Sequence, residues 1–153
     1  MSREFSKISP KVWRSKRFRA LPSDDARFLL LFFLTSEHQT SAGCFRMPDA
    51  YAAADLGWPI ERMQTARQDL IEGDLLAFDP DTDEYFVIGW FGHNKPMNVS
   101  HQKSIVRVVS DIESDAVREI AEAELQPALI PSTVETINGS RLGNSSYMTR
   151  RAS

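Results

Sequence analysis

The chain has 153 residues, 42% of them hydrophobic, which fills one modest core and leaves little for a second. Its longest apolar run, Phe28 to Leu34, falls far short of the roughly 20 residues that cross a bilayer, and the N-terminal Met-Ser-Arg-Glu-Phe-Ser-Lys carries no apolar signal stretch. With one cysteine, Cys44, and a net charge of -3, these features exclude a disulfide scaffold and a membrane partner, and lead us to expect a cytoplasmic protein.

Residues 1–20 form a basic arm, with seven Lys/Arg against the single acid Glu4. Trp13 and Phe18 interrupt the run of charge. Pro22 then precedes Ser23-Asp24-Asp25, an N-cap serine followed by carboxylates that suit the positive end of a helix dipole, so the first main helix is predicted over 23–36. Its middle is apolar nearly all round, as expected of a central core helix.

A polar loop leads to Gly43-Cys44-Phe45-Arg46-Met47, whose alternation suits a short, half-buried strand. Pro48-Asp49 opens a small-residue helix that stops at Gly57, and Pro59 begins a third helix. In that helix Ile60, Met63, Ala66 or Arg67, Leu70 and Ile71 recur at helical spacing, and Gly73 ends it. Leu75 to Phe78 and Tyr85 to Trp90 read as two strands of a hairpin joined by the turn formers Asp79 to Glu84. Residues 21–90 hold four basic against thirteen acidic groups, so the middle of the chain is acidic.

The texture then becomes polar, and residues 91–110 add Lys95, Lys103 and Arg107 with no acid. Short helices are predicted near Ser104 to Val109 and over Asp115 to Leu125, the latter with a Ser114 cap and an acidic outer face. From 127 to 153 prolines, glycines and a high Ser/Thr/Asn content indicate a flexible C-terminal tail.

Helix, short strand, helix, helix and hairpin is the order of a winged helix, a helix-turn-helix unit with a β-hairpin wing, here within an α+β chain. The expected division is a basic N-terminal arm over 1–20, a winged-helix domain over 21–98, a helical extension over 99–126 and a tail over 127–153. The stretch Phe18 to Asn98 resembles the N-terminal winged-helix domain of phage and prophage replication-initiation proteins of the replisome-organiser or primosomal-initiator kind. The resemblance is carried by Trp13 with Phe18, Ala42 to Met47, Asp55-Leu56-Gly57, Asp69 to Leu76 and Gly89-Trp90-Phe91. The most specific carrier is Phe91-Gly92-His93-Asn94-Lys95-Pro96-Met97-Asn98, which is similar to a motif that follows the wing in such proteins. It implies binding of origin DNA or self-association; the second, helicase-recruiting region of that family is not expected in this sequence.

Catalysis is not expected, because none of the usual nucleophile, metal or phosphate-loop patterns occurs. His38, His93 and His101 are scattered, and no cofactor or metal is expected. Double-stranded DNA is the leading partner. Its candidate contacts are Lys11, Arg14, Lys16, Arg17 and Arg19 in the arm, Arg62, Gln64, Thr65 and Gln68 on the third helix, and His93, Lys95 and Lys103 after the wing. The acids Glu61, Asp69 and Glu72 beside the third helix, and Asp79, Asp81, Asp83 and Glu84 at the hairpin tip, oppose a DNA backbone at close range. The alternative is therefore a protein-binding winged helix that docks on a phage or host replication, transcription or defence protein; a homodimer stays open.

Overall fold

The computed structural model describes residues 4–131. Ser9 and Ser15 divide the arm into two short turns: a 3-10 turn over Pro10–Arg14, and α1 over Lys16–Arg19, where Phe18 N–H donates to Ser15 Oγ. Helix α2 spans Asp24–Thr35, with Ser23 Oγ accepting from Ala26 N at 3.0 Å, the cap read from the sequence. Leu29, Leu30 and Phe33 are buried, but the helix is not enclosed all round: Phe28 is 55% exposed and leans on Trp58, ring centroids 5.7 Å apart.

β1 (Cys44–Arg46), α3 (Asp49–Leu56) and α4 (Ile60–Glu72) follow, then β2 (Leu76–Asp79) and β3 (Glu84–Val87). The three strands form one antiparallel sheet in the order β1-β3-β2, with Phe45 and Phe78 both opposite Tyr85. That register gathers the core. The ring of Tyr85 meets Phe33, Phe45 and Phe78 at 4.8, 5.1 and 4.5 Å between centroids.

The second strand of the hairpin ends at Val87, three residues short of the sequence expectation. Gly89 sits at φ +91, a conformation that suits glycine, and turns the chain into the short helix α5 (Trp90–His93). The Trp90 indole N–H donates to Ser41 O at 3.0 Å, and its ring lies against Gly43, where an added Cβ would stand 2.3 Å from Trp90 Cγ. Helix α6 spans Val99–Ser110, longer than expected because Asn98 caps it, its side-chain oxygen accepting from His101 N at 2.8 Å. α7 spans Asp115–Leu125 behind the Ser114 cap, as read from the sequence.

Ile105 and Val109 of α6 and Val117, Ala121 and Leu125 of α7 belong to the same core as α2, α4 and the sheet. All four residues of β3 are buried. With side chains alternating across a strand, this requires cover on both faces. Tyr85 points to α2 and α4, and α7 lies across β2 and β3 on the other side.

The beginning of the expected tail is also docked. Ala128 and Leu129 pack against the core, and Ile130 N donates to Gln102 Oε1 at 2.7 Å. The rest of the expected flexible tail, 132–153, lies outside the described residues, as do residues 1–3 of the arm. Among the described residues no helix is long and apolar enough to cross a membrane.

Candidate nucleic-acid interface

Three surfaces carry the residues expected to meet DNA, and they differ in how their charge is used. On α4, Arg62 forms a two-point ion pair with Asp25, at 2.7 and 2.8 Å, and its guanidinium lies 4.2 Å over the Trp58 ring. The same hydrogen bonds hold the Asp25 carboxyl below its ordinary pKa and raise that of Arg62. Gln64 donates to Asp49 at 2.8 Å and Gln68 to Glu72 at 3.1 Å. Thr65 is exposed between them. Every base-reading group expected on this helix except Thr65 is therefore already bonded to a carboxylate.

One helical turn from Arg62 and Gln64, Arg67 points inward. It donates to Asp49 at 2.6 Å and to the Tyr85 hydroxyl at 2.7 Å, and its guanidinium stacks 4.0 Å from the Phe78 ring. Burial pushes the Tyr85 phenol up to about 12, and Arg67 opposes that shift only in part. The Arg67 hydrogen bond, followed by that from Gln64, lowers the Asp49 carboxyl. Periodicity in the sequence left Ala66 and Arg67 as alternatives for the inward position; both are buried.

The hairpin tip is less acidic toward solvent than its sequence suggests. Glu84 is buried, and its carboxylate accepts from the backbone amides of Glu113 at 2.9 Å and Ser114 at 2.7 Å, at the start of α7. Burial alone would raise its pKa. The two amides, with Arg46 nearby at 3.6 Å, outweigh that and leave it lowered. Asp79 is held low by the Ser114 side chain and by Asp81 N. A matching carboxylate works at the other end of α7: Glu124 accepts from Gly89 N at 2.8 Å and Phe91 N at 3.0 Å. Sequence reasoning missed both roles, because an acid in a turn or on an amphipathic helix looks the same whether solvated or bonded to a distant amide.

The arm is different. Lys7, Lys11, Arg14, Lys16, Arg17 and Arg19 are all exposed, and none forms an ion pair among the described residues. Arg17 alone is tied down, donating to Asp74 O at 2.8 Å. Trp13 is 65% exposed and meets Phe18 edge-on at 5.7 Å, so Phe18 anchors the arm while Trp13 stays on its surface.

Between the arm and the end of β3 runs a groove of about 1050 Å³. Lys7, Lys11, Arg14 and Arg17 line it from the arm and His93 from α5, so part of the post-wing segment does meet the basic arm. Lys16 and Arg19 lie outside the groove lining. Lys95 and Lys103 are exposed and also stand apart from it.

The single cysteine, Cys44, is buried rather than half-buried, and burial pushes its thiol up to about 11, which leaves little thiolate at neutral pH. Among the described residues no group of three His, Cys, Asp or Glu side chains is arranged to hold a metal ion. No family model, curated protein or solved structure matches this chain.

Proposed function

We propose that this chain is a non-enzymatic winged-helix module, akin to those of phage replication initiators, that holds double-stranded DNA by its phosphates through the N-terminal arm. The scaffold reading is supported by the order α2, β1, α3, α4, β2, β3, by the short Gly57-Trp58-Pro59 turn between α3 and α4, and by the sheet order β1-β3-β2. One observation carries the DNA reading: six arm cations stand exposed without a carboxylate partner among the described residues, ahead of a middle segment that is strongly acidic. Neutralising phosphates releases condensed counterions, and this supplies most of the sequence-independent affinity for DNA. Base reading by α4 is a minor part of the proposal, since Arg62, Gln64 and Gln68 would have to leave their present partners first.

The test is a titration of fluorescently labelled duplex DNA at several salt concentrations. Replacing Lys11, Arg14, Lys16 and Arg19 with alanine is expected to flatten the dependence of log affinity on log salt by about 0.9 for each phosphate that is no longer neutralised. An unchanged slope would take the arm out of the interface.

A further inference from the structure

The groove under the arm has a composition that phosphate binding does not use. Its basic lining is Lys7, Lys11, Arg14, Arg17 and His93, and among the described residues no Asp or Glu side chain lines it. Glu124, a carboxylate tied to its wall through Gly89, has both oxygens occupied by the amides of Gly89 and Phe91. Its floor is apolar, and Ile8, Val12, Leu34 and Ile88 are only partly buried there. A DNA backbone offers nothing to such a floor. At about 1050 Å³ the groove stands at the top of the range for small-molecule sites, roughly 300–1,000 Å³, and it is an open trough rather than an enclosed cavity.

An apolar strip bordered along the arm by Lys7, Lys11, Arg14 and Arg17 is complementary to an amphipathic helix with one apolar stripe and an acidic flank. Such a ligand would set anchors at i, i+3 or i+4 and i+7 on the floor, and place its carboxylates against the Lys and Arg side chains. Acid at that flank gives the charge complementarity that steers encounter and fixes register. We infer that this groove docks an acidic amphipathic helix of a partner protein. The occupant neutralises Lys7, Lys11, Arg14 and Arg17, four of the six arm cations assigned above to DNA. Bound partner and bound DNA therefore exclude one another, a consequence that rests on the DNA reading, whereas the docking itself does not.

The experiment is a selection of helical peptides from a random display library against the whole chain, followed by anisotropy measurements with the recovered sequence as a synthetic peptide. Recovered peptides should share Asp or Glu flanking an i, i+3/i+4, i+7 apolar stripe. A version with the same charge and the stripe scrambled should bind at least tenfold more weakly. Ile8→Gln with Leu34→Gln should weaken the peptide at least tenfold and leave the salt dependence of DNA binding unchanged. Lys16→Ala with Arg19→Ala should do the reverse, since neither residue lines the groove. Thermal melts of both double variants check that each is folded; should the floor pair unfold, Ile88→Gln replaces it.

Recovered peptides without acid, equal binding of the scrambled peptide, or a floor variant that leaves peptide binding intact would each overturn the inference. So would a floor variant that weakens duplex DNA as much as peptide, because nucleic acid would then be the groove's occupant. Loss of DNA binding alone, with peptide binding and its floor dependence retained, would remove only the competition.

Discussion

Helix α4 and the N-terminal arm carry the same kinds of cation under opposite conditions. On α4, Arg62 faces Asp25 and Arg67 faces Asp49, each within hydrogen-bonding distance, so their charge is cancelled where it stands. In the arm, Lys11, Arg14, Lys16 and Arg19 have no carboxylate within reach among the described residues, and their charge is left for something outside the chain. A basic residue on the expected reading helix is therefore weaker evidence for DNA than one on a plain surface turn. Local net charge, rather than residue type, decides which surface can attract a polyanion.

Three substitutions probe this contrast. The largest effect is expected at Arg67, whose removal leaves the Asp49 carboxylate with Gln64 alone and uncovers the Tyr85 hydroxyl and the Phe78 ring. Arg67→Ala should cost about 3 kcal/mol in chemical denaturation, the low end for breaking a buried ion pair from one side, because Asp49 keeps Gln64 and is a quarter exposed. A loss no larger than that of a surface substitution would mean that Arg67 is as free as the arm cations.

Next comes Glu84→Gln, which keeps the shape but removes the charge that two amides at the start of α7 are bonded to. It should cost about 1–3 kcal/mol at neutral pH. The sign with pH follows from the lowered pKa in the folded state. Stabilisation by Glu84 is fully present above its ordinary value of 4.5 and is lost as pH falls through the lower folded value. Denaturation curves of the two proteins should therefore converge in that acid range. A gap that widens on acidification would contradict the proposed bonding.

The smallest effect is expected from Arg62→Ala. Since Asp25 already occupies its guanidinium, the salt dependence of DNA binding should not change, in contrast to the arm variant. A slope that falls by about one would show Arg62 on a phosphate and would dissolve the contrast between the two regions.

How much of this was legible in the sequence follows from the range of each interaction. Ser23 and Ser114 act within a few residues and their helices stand where they were expected; the strand at Cys44–Arg46 also falls within Gly43 to Met47, though Cys44 and Phe45 are both buried rather than alternating. Tyr85 to Trp90 reads as one strand because its hydrophobicity is unbroken, yet Gly89 turns the chain after Val87, held by a carboxylate 35 residues away. Asn98 was a readable cap for α6 that apolar spacing alone overlooked. For the candidate surfaces, the exposed run from Lys7 to Arg19 was plain, and its meeting with His93 across one groove needed the fold. The pairing of Arg62 with Asp25 bridges α2 and α4, which no local pattern encodes.

The cover that α7 lays over the sheet bears on the order in which the chain is made. Strand β3 is complete at Val87, but the face it turns toward α7 has no protection until Val117 and Ala121 have emerged and folded onto it. During that interval the Cys44, Ala77 and Phe86 half of that face is bare, and transiently exposed apolar surface is what makes incomplete chains associate. Glu84 lies on that face. As a bare carboxylate it is a charge placed where two such sheets would otherwise stack, and it becomes an anchor only when the amides of Glu113 and Ser114 arrive to take it.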